Sequence, residues 1–149
     1  MHGLLKPLAI VVLCAVLGVA ALACVAPGEG ARQVTVAISC DDFQQSAQQA
    51  RSVTVARDGT VTVTLCSNPS TGFKWEHGAT SDPAVLSQRD YQFLPPQSAT
   101  PLAGAGGQEQ WLFDANASGT ATVDFHYSQP WTGGSKGGWS LALTVTVSP

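Results

Sequence analysis

From Ser52 to its end this chain alternates apolar and polar residues with a period of two, and no other feature limits its fold as tightly. In a strand, successive side chains point to opposite faces. The run "TVTVTL" (60–65) therefore sends Val61, Val63 and Leu65 to a core and Thr60, Thr62 and Thr64 outward. In the last run, "WSLALTVTV", Trp139, Leu141, Leu143, Val145 and Val147 share one face. Between them lie shorter candidates: "FKWEHG", "AVLSQRDYQFLPP" (which Pro95 and Pro96 must end), "QEQWLFDA" and "TATVDFHYS", the last two joined by "NASG". The segment "SVTVARDGTVTVTLC" reads as two strands of a hairpin about the Asp58-Gly59 turn signal, and "VTVAISC" as a first strand. Only "DDFQQSAQQA" has helical character, as a short helix or an irregular crossing.

Seven or eight short strands with turn signals between them predict an all-β domain, an immunoglobulin-like antiparallel β-sandwich. A small β-barrel is the second choice. Charged residues make up only 11% of the 149 residues, while 44% are hydrophobic, so the chain has apolar matter for one core and no disordered character. Phe73, Trp75, Trp111, Phe113, Phe125 and Trp139 are expected in that core from their strand positions.

The N-terminus follows another logic. "LAIVVLCAVLGVAALA" is an apolar run that is short for a membrane span and ends in small residues, as secretory signals do. The "ALAC" ending, residues 21–24, resembles a bacterial lipobox, with Ala21 where Leu is usual. The expectation is a lipoprotein signal over 1–23, a lipidated Cys24 with a tether to residue 33, and a folded domain over 34–149. The product would be exported and lipid-anchored at the outer face of a bacterial cell membrane; cleavage near Ala23 without lipid, or an uncleaved anchor, are the alternatives. Of the four cysteines, Cys14 leaves with the signal and Cys24 takes the lipid. Cys40 and Cys66 remain, as a disulfide suited to an exported chain or as two buried thiols. A chain starting at Cys24 carries six Lys/Arg against ten Asp/Glu, a net charge of −4, with no basic cluster, so nucleic acid is not an expected partner.

Three connections differ in composition from ordinary hairpin turns: 68–72 ("NPSTG"), about 98–107 (with "GAGG") and 128–138 (with "QPW"). Two strands separate the first from the second, and two more the second from the third. Each pair of strands returns the chain to the same end, so all three loops should gather there, as binding loops do on immunoglobulin-like domains. Trp131, amid Gly and Pro, is either a contact anchor or a cap folded back on the core.

In this order and spacing, "NPSTGFKW", "GAGG" and "QPW" resemble the chagasin-type inhibitors of papain-like cysteine proteases, over about residues 50–149. That family's pattern is Asn-Pro-Thr-Thr-Gly followed by an aromatic and a Trp, then Gly-x-Gly-Gly, then Arg-Pro-Trp. The resemblance implies a reversible, competitive inhibitor that inserts three loops into the active-site cleft. Asn68, Pro69, Ser70, Thr71 and Gly72 would form the central wedge, Gly104, Ala105, Gly106 and Gly107 the second loop, and Gln129, Pro130 and Trp131 the third. Ser70 replaces a Thr. Gln129 replaces the Arg, so any salt bridge from that Arg to a protease is lost.

Two other function classes compete. An enzyme would need catalytic or metal-binding side chains, yet His2 leaves with the signal, and His77 and His126 have no metal-like spacing to each other or to a carboxylate cluster. No cofactor, metal or catalytic residue is expected. The remaining alternative is an immunoglobulin-like surface lipoprotein that binds carbohydrate or an envelope protein, because loop tryptophans can stack on sugars.

Overall fold

The computed structural model describes residues 30–96 and 105–149. Cys24 and Gly104, expected at the lipid anchor and in the second loop, lie outside the described residues, as do the segments expected to form the signal and most of the tether. Seven strands follow one another: β1 (Ala31–Ile38), β2 (Gln48–Ser67), β3 (Lys74–His77), β4 (Leu86–Leu94), β5 (Gly107–Ala115), β6 (Gly119–Ser128) and β7 (Ser140–Ser148). One helix, α1 (Cys40–Gln45), occupies the first half of the Gln-rich segment. It starts there because Ser39 and Asp42 form a capping box. The Ser39 side chain accepts the Asp42 N–H, and the Asp42 carboxylate accepts from the Ser39 N–H at 2.9 Å and its hydroxyl at 2.7 Å. The Ser39 hydroxyl, and then its N–H, hold the Asp42 carboxyl below the usual aspartate range.

The strand order is β3-β6-β7-β2-β5-β4, with β1 also on β2. β2 belongs to two layers. Its first half, through Ala56, runs beside β7; its second half, from Thr60, lies between β1 and β5. Residues 57–59 pair with neither β5 nor β7. The sandwich is thus one continuous hydrogen-bonded sheet that folds over at this point and encloses a single core, in which Val55, Val61, Val63 and Leu65 of β2 meet Leu141, Leu143 and Val145 of β7.

This arrangement corrects the expected Asp58-Gly59 hairpin. A two-residue type I′ turn needs positive φ at both central residues. Asp58 has φ 60°, but Gly59 is not among the positive-φ glycines, so the chain bends and continues instead of reversing. Gly59 serves close approach: a Cβ there would come within 2.6 Å of the Arg32 carbonyl oxygen of β1. The strands are accordingly not all antiparallel. β1–β2 and β2–β7 are parallel pairs. The first needs a crossover connection, and α1 lies on it.

The alternation read from β2 and β7 holds: Val61, Val63, Leu65, Leu141, Leu143, Val145 and Val147 are buried. Thr64 is buried too, since its hydroxyl accepts from the Gln110 side chain across β5 at 3.0 Å. Trp75, Trp111, Phe113 and Phe125 are core residues, with Phe73 and Trp139 packed half-buried against them. Cys40 and Cys66 form a disulfide, Cα to Cα 5.2 Å, that fastens α1 to the end of β2.

Candidate functional site

β2 ends at Ser67, which pairs with Gly107 at the start of β5; Leu94, ending β4, pairs with Gln108. Ser128, ending β6, pairs with Lys74 at the start of β3. The three unusual connections therefore leave the sheet at one end.

The first loop is a single 3-10 turn, Pro69–Thr71, capped on both sides. The Asn68 side-chain oxygen accepts the Ser70 N–H at 3.2 Å and the Ser70 hydroxyl at 2.6 Å. The Asn68 carbonyl accepts the Thr71 N–H at 3.1 Å and the Thr71 hydroxyl at 2.7 Å. Pro69 at the first position presets its backbone angle, and Gly72 closes the turn in the left-handed region at φ 78°. A short segment thus spends its polar groups on its own shape while Pro69, Ser70 and Thr71 stay exposed at its tip.

The turn stands on a rigid base. The Asn68 N–H donates to the Tyr127 hydroxyl at 2.7 Å, and the Trp75 indole N–H donates to the Cys66 carbonyl at 2.8 Å. Just beneath, Glu109, only 2% exposed, accepts from the Ser67 hydroxyl at 2.6 Å, the Trp75 N–H at 3.3 Å and the Tyr91 hydroxyl at 2.9 Å. A buried carboxylate is tolerable only when it is paired in this way. Tyr91 is 49% exposed, but its hydroxyl is drawn against Glu109; desolvation there first, and then the hydrogen bond to Glu109 and its charge, push it up to about 12. Phe73, Tyr127, Trp139 and Phe43 stack in sequence with centroids 5.3, 5.1 and 5.0 Å apart. Beside this stack an apolar hollow of about 390 Å³ opens between the first loop and α1, lined in part by Thr71, Phe73, Tyr127 and Trp139.

The other two loops flank the first. A Cβ on Gly106 would lie 3.2 Å from the Ser67 carbonyl oxygen and 3.7 Å from the Asn68 Cβ, so the described end of the second loop, Ala105 and Gly106, runs directly beside the turn. From the other side the Trp131 indole packs on Gly72. Trp131 is 49% exposed, so it does not fold back as a cap on the core. Gln129 ties the third loop down. Its side-chain N–H donates to the Thr71 carbonyl at 3.2 Å, its side-chain oxygen accepts the Ser135 N–H at 3.0 Å, and its own N–H donates to the Ser135 carbonyl at 2.8 Å. The Lys136 ammonium donates to the Gln129 carbonyl at 2.7 Å.

Of the residues expected at the site, Asn68, Pro69, Ser70, Thr71, Gly72, Ala105, Gly106, Gln129, Pro130 and Trp131 come together at this end, and Gly107 begins β5 beside them. Tyr127, Glu109 and Lys136 escape sequence reasoning. Tyr127 continues the inward alternation of Phe125 and reads as plain core; only its hydroxyl, at a strand end, hints at a loop partner. Glu109 sits at an inward position of β5, where a carboxylate is unusual, and that is its one signal.

Fold and site together define an immunoglobulin-like β-sandwich that holds a stiffened turn at one end, clasped by the third loop, with the end of the second loop beside it. The chain belongs to the chagasin family of peptidase inhibitors: residues 54–146 match the profile of the family described as "Chagasin family peptidase inhibitor I42". Chagasin of Trypanosoma cruzi is 38% identical over 90 residues, which are 58% of this chain and 80% of that protein. Among solved structures, the cysteine protease inhibitor EhICP2 of Entamoeba histolytica superposes with a TM-score of 0.61 at 18% identity, over 80% of this chain and all of that one. PbICP-C, solved in complex with falcipain-2, superposes with a TM-score of 0.53 at 15% identity, over 76% of this chain and 99% of that one. At such identities these superpositions bear on the fold.

Proposed function

We propose that this peptidase inhibitor blocks papain-like cysteine peptidases reversibly and competitively, with residues 68–72 as a wedge between the second and third loops. Family membership and the names of its relatives support the target class: EhICP2 is a cysteine protease inhibitor, and PbICP-C is bound to falcipain-2. The observation that carries the mechanism is the capped Pro69–Thr71 turn, whose amides and hydroxyls are committed to Asn68 and whose tip is exposed. A papain-like groove has a nucleophilic Cys and a His at its centre. A stiff turn of small residues can approach that pair closely without laying an extended peptide bond in register for attack. Because the turn is already ordered, little conformational entropy is lost on binding. Trp131 supplies apolar area on one side, and residues 104–107 allow close backbone approach on the other. Catalysis has no place in this reading.

The lipid anchor on Cys24 belongs to the same proposal. The apolar run before it and the "ALAC" ending support export and attachment at the outer face of a bacterial membrane. Titration of papain and a cathepsin L-like enzyme with the full chain in detergent tests the inhibitor: competitive loss of activity is expected, and none at micromolar concentration would overturn it. Mass spectrometry of the N-terminus tests the anchor, where an acylated Cys24 is the expected result and an unmodified one the overturning result.

A further inference from the structure

The three loops, residues 68–73, 95–106 and 129–139, contain one charged side chain, Lys136. The chain as a whole has ten acidic residues against seven basic ones, yet no acid lies within the three loops, and the cations at this end are Lys136 in the third loop and the exposed Lys74, which starts β3 opposite Ser128. The acids nearest in sequence are not free to neutralise Lys136. Glu109 is buried under the first loop and takes three hydrogen bonds, and the Glu76 carboxylate accepts from the Ser128 hydroxyl at 2.8 Å. Asp41 and Asp42 lie on α1, where Asp42 is engaged by Ser39. Neither ion pair found among the described residues involves Lys136. Its ammonium nonetheless has a backbone partner. The ammonium donates to the Gln129 carbonyl, and the Gln129 side chain is bonded in turn to the Thr71 carbonyl of the wedge. An exposed lysine usually sweeps a wide volume; this one is drawn in toward the seam between the first and third loops, on the side that carries Trp131.

We propose that Lys136 is the electrostatic contact of the third loop, pairing with a carboxylate on the groove wall that faces that loop and so favouring peptidases that carry an acidic residue there. The proposal rests on the inhibitory reading above. A rim charge acts mainly on the rate of encounter and on its salt dependence. The pair would be solvent-exposed and its effect modest.

The test compares the full chain with its K136Q and K136R variants against two papain-like peptidases, one with a carboxylate on that wall and one with a lysine, at low and at high ionic strength. With the acidic-walled enzyme, K136Q should slow association about two- to fivefold at low salt, a difference that disappears at high salt as the charges are screened. K136R should behave as the parent, and the lysine-walled enzyme should bind the parent no faster than K136Q. Equal association rates of parent and K136Q with the acidic-walled enzyme at both salt levels would overturn the role of Lys136 and leave inhibition itself standing. Failure of the parent to inhibit either enzyme would overturn both.

Discussion

The rim of the Trp131 indole comes so close to Gly72 that a methyl group there would collide with its six-membered ring. Gly72 also holds φ 78°, a conformation that costs an L-residue about 1–2 kcal/mol. One missing side chain therefore serves two loops, closing the wedge turn and seating the aromatic of the third. Gly72→Ala should lower unfolding stability by about 1–2 kcal/mol and displace Trp131. The displacement would show as a change in tryptophan fluorescence and about a tenfold rise in the inhibition constant, which is about 1.4 kcal/mol.

Trp131→Ala separates the two effects. The side chain is half exposed and lies outside the core, so the melting transition should move by no more than about 0.5 kcal/mol in equivalent stability. Binding should weaken by more than about 1 kcal/mol if the indole is the anchor of the third loop. Inhibition titrations of parent and variant decide this; a smaller loss removes Trp131 from that role.

Gln129 predicts a dynamic effect. It bonds to the Thr71 carbonyl and to both backbone groups of Ser135. Gln129→Ala removes the two side-chain bonds. The Ser135 amide should then exchange faster with deuterated solvent, and the complex with a target peptidase should dissociate several-fold faster with little change in melting temperature. Hydrogen exchange and stopped-flow dissociation measure the two.

The disulfide closes a loop of 26 residues of sequence separation between α1 and the strand that delivers the wedge. Replacing Cys40 and Cys66 together by Ser should cost about 3–4 kcal/mol in urea unfolding on the chain-entropy account. Strong reductant should shift the parent to the same midpoint.

Tyr91 gives the pH prediction. Its hydroxyl is pushed up to about 12, above its unfolded value near 10, because burial and Glu109 disfavour the phenolate. The folded state thus holds this proton more tightly than the unfolded state. Its contribution is fully present below about pH 10 and is lost as pH rises toward 12. Stability measured by denaturant should fall modestly through that window, because Tyr91 is half exposed and its charge is screened, and less in Tyr91→Phe; near-ultraviolet titration should show Tyr91 ionising late.

Much of this was legible in the residues. Period-two alternation marks the strands, because each side of a pleated strand meets a different solvent. The count of strands between "NPSTG", "GAGG" and "QPW" correctly brings the three loops to one end, because that rule depends only on chain direction. The burial of Val61, Val63 and Leu65, and the choice of Cys40 and Cys66 as partners once the other two cysteines are assigned to the N-terminus, follow equally from local chemistry.

What the chain could not announce is how distant segments share space. Asp58-Gly59 looks like a hairpin because turn propensity is local, yet it sits within one strand, since β1, β5 and β7 all need β2 as a neighbour and together outweigh a two-residue preference. Gln129 looked like a missing charge and proved to be an intramolecular clasp, with Lys136 held at its carbonyl. Glu109 stands in an inward row, where only Ser67, Trp75 and Tyr91, brought around it by the fold, make a carboxylate tenable. The sequence by itself determined the strand-forming segments, the core-facing rows and the positions of the loops, because these depend on near neighbours and periodicity. The tertiary structure alone decided how the loops lock onto one another, because a hydrogen bond or ring contact between residues 58 or 59 positions apart in sequence, Thr71 to Gln129 and Gly72 to Trp131, exists only once the sheet has folded over.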